Sequence, residues 1–80
     1  MNDINYYIDL IIEHRQLIRK FDNSIKQNCK LIKRYTVEGN EEGVKFWKEM
    51  NKKTRRWREA SRKLIEIYLD RIEEVRANDK

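Results

Sequence analysis

INYYIDLIIEHRQLIRKFDNSIKQNCKLIKRY, residues 4–35, repeats isoleucine at every seventh position, as Ile4, Ile11, Ile18, Ile25 and Ile32. Tyr7, His14, Phe21, Asn28 and Tyr35 each follow an isoleucine by three, the spacing of one continuous helical seam. Leu10, Leu17, Ser24 and Leu31 form an adjacent row and widen the apolar face to roughly 120°, which suits a bundle better than a two-stranded zipper. Asn2 or Asp3 can cap the start. A rival reading breaks the helix near Asn23, because Ser24 and Gln27 make a capping box that could open a new helix and give a three-helix bundle. The unbroken phase across Ile18, Ile25 and Ile32 favours continuity.

The pattern stops at Thr36-Val37-Glu38-Gly39-Asn40, where Gly39 can take the left-handed conformation that ends a helix and Asn40 can cap the next. Glu41 and Glu42 then complement the positive end of a second helix dipole. Trp47, Met50, Thr54, Trp57, Ser61, Leu64, Tyr68, Ile72 and Val75 continue at spacings of three and four. The expected architecture is all-α, with a helix over about 3–36, a turn at 37–40 and a helix over about 41–77 within a single domain at 1–80. A connection this short makes the helices an antiparallel hairpin.

Composition agrees. The 80 residues are 39% apolar and 41% charged, with no proline and only Gly39 and Gly43 as glycines, so sandwiches and barrels lack the turn residues they need. The longest apolar run, Leu10 to Ile12, is far short of the roughly 20 residues that span a bilayer, and no charged-then-apolar leader is apparent. The expectation is a cytoplasmic protein without a membrane role. Cys29 is the single cysteine and has no internal disulfide partner.

The stretch from Tyr35 to Trp47, with Glu38-Gly39-Asn40-Glu41-Glu42-Gly43-Val44, resembles the turn of a tetratricopeptide repeat. The resemblance is confined to that turn: the first helix is far longer than the repeat's, Gly43 stands where alanine is usual, and there is neither a closing proline nor a second copy. What it implies is a tight antiparallel reversal.

Burial asks for more than one hairpin. Leu64, Ile65, Ile67, Tyr68, Leu69 and Ile72 span roughly 200° of arc, and Ile8 and Ile12 widen the first helix near its start. A two-helix unit of this size is short of core, so self-association into a dimeric four-helix bundle is expected, through Ile8, Ile12, Ile65, Leu69 and Ile72. Asn28, polar within an apolar seam, suits control of register or else marks an exposed edge.

Catalytic chemistry finds few groups. His14 and Cys29 are about 22 Å apart along one helix, too far for a nucleophile and its base. No His-x-x-x-His, Cys-x-x-Cys, Glu-x-x-His or glycine-rich phosphate loop occurs, so no metal site or cofactor is expected and the chain reads as non-enzymatic. His14 reads as a half-buried seam residue. The pairs Asp9 with Glu13 and Glu66 with Asp70 could offer four carboxylates to a hard cation, but a solvated acidic patch is the simpler reading.

Charge carries the functional signal. Between Arg15 and Lys63 lie sixteen Lys and Arg against six acids, a net of +10, while the two ends together carry three basic and eight acidic residues, a net of −5. Folding the hairpin makes a charge-polarised rod with its basic half at the turn. The candidate binding residues are Lys30, Lys33 and Arg34 on the first helix and Lys48, Lys52, Arg55, Arg56, Arg58 and Arg62 on the second. Thr54-Arg55-Arg56-Trp57-Arg58 interleaves an aromatic with cations, as single-strand binders do, although the phase of Trp57 with Met50, Thr54, Ser61 and Leu64 assigns it to the core.

Two functions compete. The first is a module that docks its basic half on DNA, RNA or a nucleoprotein. Its architecture resembles that of small hairpin dimers such as the plasmid-encoded RNA-binding Rop family, which implies that such a shape suffices for RNA contact; no motif is shared. The second is a protein-binding regulator or inhibitor, encoded by a phage or other mobile element, acting on an acidic groove of a host factor. Contact of a basic amphipathic helix with an anionic membrane ranks third, because both seams are committed to helix packing.

Overall fold

The computed structural model describes residues 3–78, which form two long α-helices and, among those residues, no strand. Helix α1 spans Asp3–Val37 and α2 spans Glu41–Asn78. They pack side by side as an antiparallel hairpin, a rod with extents of 63 × 14 × 12 Å. Helix α1 runs through Asn23 without a break. The Ser24-x-x-Gln27 box is overridden because Ile25 between them is buried in the same seam as Ile11, and a new helix start would turn it out of phase. The candidate caps Asn2 and Asp3 concern side chains outside the described set.

The reversal is built from two reciprocal caps. Gly39 adopts φ +72°, and its N–H donates to the Thr36 carbonyl at 3.1 Å while the Asn40 N–H donates to the Tyr35 carbonyl at 2.9 Å. These two bonds satisfy carbonyls at the end of α1 in the pattern that a left-handed residue makes possible. Asn40 then serves α2: its Oδ1 accepts from the Gly43 N–H at 3.0 Å and its carbonyl from the Val44 N–H at 3.1 Å.

Packing follows two heptad rows. On α1 the row is Ile4, Tyr7, Ile11, His14, Ile18, Phe21, Ile25, Asn28, Ile32 and Tyr35. On α2 it is Val44, Trp47, Asn51, Thr54, Arg58, Ser61, Ile65, Tyr68, Ile72 and Val75. Every residue of both rows is buried or half-buried, so α2 keeps a strict three-four alternation that matches α1. This corrects the row read from sequence at Trp57, which is 53% exposed; Arg58 takes the inward position instead. Asn28 is buried, which settles its place in the seam rather than at an edge.

The seam is thin and partly polar. Its buried apolar residues are Ile11, Ile25 and Ile72, and its buried polar residues are Asn28, Asn51, Thr54 and Ser61. Thr54 Oγ1 donates to the Met50 carbonyl at 2.9 Å, and Ser61 Oγ lies 3.4 Å from His14 Nδ1. Asn51 Nδ2 donates to Cys29 Sγ at 3.5 Å, a weak bond, and its Oδ1 has no partner. Rings add cross-helix ties, with Tyr7 stacked on Tyr68 at 6.0 Å and Phe21 tilted on Trp57 at 6.2 Å.

The two glycines act differently. At Gly39 a side chain would meet open space, and the obstacle is the left-handed backbone, worth about 1 kcal/mol in a non-glycine residue. At Gly43 the obstacle is contact, since a Cβ would stand 2.8 Å from Cγ of Tyr35. Gly43→Ala should therefore lower stability by about 1 kcal/mol, although alanine is the better helix former by a similar amount. In a Tyr35→Ala background the same substitution should raise stability, and urea titrations of the four variants read the change of sign.

Asn51→Leu removes an amide with an unpaired oxygen from a buried position. It should stabilise the hairpin by about 1 kcal/mol, measured as a rise in the urea midpoint at unchanged slope.

Candidate nucleic-acid interface

The heptad register gives the rod two dissimilar long faces. The ties Asp22–Arg58 and Cys29–Asn51 mark one side of the seam and the Phe21–Trp57 contact marks the other. On the first side, three rows recur every seven residues: Ile8, Arg15, Asp22 and Cys29; Ile12, Arg19, Lys26 and Lys33; and Lys48, Arg55, Arg62 and Leu69. Seven of these twelve positions are cationic. The single acid among them, Asp22, is tied through Oδ1 to Nη1 of Arg58 at 2.8 Å.

This basic face lies in the turn half. Arg15 and Lys33 bound it on α1, a rise of about 27 Å along the helix. Because α2 returns over α1, Arg62 comes back beside Arg15 and Lys48 beside Lys33. All seven side chains are exposed. Toward the termini the same face turns apolar, with Ile8, Ile12 and Leu69 exposed.

The nine binding residues read from sequence divide accordingly. Lys33, Lys48, Arg55 and Arg62 share the basic face, and Lys30 and Lys52 stand at its shoulders. Arg34 and Arg56 project from the outer ridges of α1 and α2, away from the other seven. Arg58 is turned inward, its side chain 25% exposed, its Nη1 on Asp22 and its Nε without a partner. Local pairs temper some of the cations: Arg34 with Glu38 at 3.2 Å, Lys52 with Glu49 at 3.5 Å and Arg62 with Glu59 at 3.8 Å. These exposed pairs are worth little and leave the cations available. Arg15, Arg19 and Lys26 join the face without having been singled out; for Arg19 and Lys26 the seven-residue spacing against Lys33 was the available signal.

Of the residues read as an oligomerisation set, Ile72 is buried in the hairpin's own seam and Ile65 is half-buried there, while Ile8, Ile12 and Leu69 stay exposed. His14 is half-buried between Ser61 and the Tyr68 ring, whose centroid lies 5.8 Å away. Ser61 is buried and tied across the helices, a structural position for a hydroxyl. Asp9 and Glu13 on α1 and Glu66 and Asp70 on α2 are all exposed, on outward surfaces that the hairpin does not bring together. Among the described residues no group of three or more His, Cys, Asp or Glu stands close enough to share a metal ion. Nor is either described helix long and apolar enough to cross a membrane.

Compared with protein-family models, with curated proteins and with solved structures, the chain matches none of them.

The Asp22–Arg58 tie fixes which cations are free, and it can be measured. Asp22→Ala and Arg58→Ala should each cost about 1 kcal/mol of stability, and the double variant should cost less than their sum, because the pair is partly shielded from water. A double-mutant cycle by urea unfolding reads the coupling directly.

Proposed function

We propose that this protein is a non-enzymatic helical module that binds nucleic acid, or the nucleic acid of a nucleoprotein, through the basic face of its turn half. The observation that carries this reading is the segregation of cations. Arg15, Arg19, Lys26, Lys33, Lys48, Arg55 and Arg62 share one side of the rod, where Asp22 is tied to Arg58 at 2.8 Å and Glu59 lies 3.8 Å from Arg62. A field of one sign over about 27 Å attracts a row of phosphates, and neutralising them releases condensed counterions.

The module works as a dimer in this reading, a four-helix bundle of two hairpins. Support comes from the thin seam, in which no described side chain is completely buried, and from the large apolar side chains left exposed along the rod.

Affinity for DNA or RNA should fall by about tenfold or more between ~50 and ~200 mM salt. Lys33→Ala, Lys48→Ala, Arg55→Ala and Arg62→Ala should each weaken binding by roughly 1 kcal/mol, whereas Arg71→Ala and Arg76→Ala near the termini should leave it unchanged. A mobility-shift titration at both salt concentrations reads these effects, with circular dichroism as the control for fold. If neither nucleic acid binds at the lower salt while the helices persist, a regulator that docks on an acidic protein replaces this reading.

A further inference from the structure

The face opposite the basic one has a different composition. Its rows are Leu10, Leu17, Ser24 and Leu31 on α1, with Met50, Trp57, Leu64 and Arg71, and Phe46, Lys53, Ala60 and Ile67, on α2. Two of these twelve positions are charged, and the flanking α1 row, Tyr6, Glu13, Lys20, Gln27 and Arg34, adds three more. Phe46 at 57%, Trp57 at 53% and Ile67 at 48% remain open to water, and Leu17 at 37% continues the stripe on α1. Exposed apolar side chains gathered along one side of the rod make a candidate contact surface.

We infer that this stripe receives a second copy of the same chain, turned antiparallel so that the turn of one hairpin lies over the termini of the other. The inference rests on the reading that the hairpin self-associates, and it adds the face and the orientation. Two features of the rod select that occupant. The stripe keeps a seven-residue repeat on both helices, over about 32 Å on α1 and about 38 Å on α2, and a rod with the same repeat covers it in register. The rod is also self-complementary in charge when reversed. Beside the stripe, Lys20, Arg34 and Lys53 lie toward the turn and Glu13 and the Arg71–Glu74 pair lie toward the termini, so antiparallel copies bring cations of one near acids of the other, whereas parallel copies would stack cations on cations.

The sequence had pointed instead to Ile8, Ile12, Ile65, Leu69 and Ile72. Ile65 and Ile72 are used within the hairpin, and Ile8, Ile12 and Leu69 share their face with the seven cations, which a contact there would partly cover. Packing through the Trp57 stripe leaves both basic faces outward, one on each side of the bundle and displaced toward opposite ends.

The test places a single spin label at the turn, on the Glu38→Cys variant in a Cys29→Ser background, and measures the distance between copies by pulsed dipolar spectroscopy. Sedimentation on the unlabelled full chain first establishes the association state. An antiparallel dimer puts the labels about 55 Å apart, and a parallel one puts them under ~30 Å apart. Leu17→Glu and Ile67→Glu should each weaken the dimer about tenfold or more, while Ile12→Glu and Leu69→Glu should leave it intact. A monomer at micromolar concentration overturns the self-association reading itself. A dimer with short label distances, or one sensitive to Ile12→Glu and Leu69→Glu but not to Leu17→Glu and Ile67→Glu, overturns the assignment of orientation or face. Helicity by circular dichroism separates dissociation from unfolding in every variant.

Discussion

Glu38, Gly39 and Asn40 alone reverse the chain, and the register of every cross-helix contact depends on that length. A left-handed glycine ends α1 and the next residue caps α2, so no slack remains in the connection. Gly43 then lets Tyr35 lie against the α2 backbone, which fixes the first layer of packing beside the turn. From there the two heptad rows advance in step. Cys29 meets Asn51, Asp22 meets Arg58, and His14 meets Ser61. One residue more or fewer in the turn would rotate each of these pairs by 100° and dissolve the distinction between the two long faces.

That distinction explains an otherwise unfavourable core. The central stretch of the α2 row, Asn51, Thr54, Arg58 and Ser61, is polar where a hairpin folding alone would place aliphatic residues. The apolar residues it lacks are next door, in the Met50, Trp57 and Leu64 row. The chain thus holds back hydrophobic surface from its own seam and displays it on one side, while the polar residues of the seam specify register more than they stabilise it.

The sequence was most legible where one residue type dominated. Five isoleucines in phase defined α1 and its inward face, and Gly39-Asn40 marked the reversal, because both signals depend on local chemistry alone. On α2 the apolar arc is so wide that two adjacent rows compete, and hydrophobicity chooses the wrong one at Trp57. Arg58 occupies the inner row because Asp22 waits across the seam, and that partnership joins residues 36 positions apart that only the folded register brings together. Alternation carried back from Tyr68, Ile72 and Val75, rather than forward from Trp47, would have found Arg58 and Asn51. The proposed binding face was half legible for the same reason: net charge located the basic half, but the sidedness of Arg34, Arg56 and Arg58 follows from helix phase, and Arg15, Arg19 and Lys26 entered only when the facing helix was in place.

The hairpin topology also orders the assembly of the molecule in time. Chain separation between partners rises steadily away from the turn, from eight residues at Tyr35 and Gly43, to 22 at Cys29 and Asn51, 36 at Asp22 and Arg58, and 47 at His14 and Ser61. Each tie, once made, brings the next within a short loop, so closure entropy is met in small instalments if the helices zip outward from residues 38–40. Opening in reverse would fray the acidic terminal half before the cation-bearing half. Amide exchange would then be graded along the rod, slowest beside the turn, and the half of the molecule that carries the phosphate-attracting charges would be the last to lose its shape.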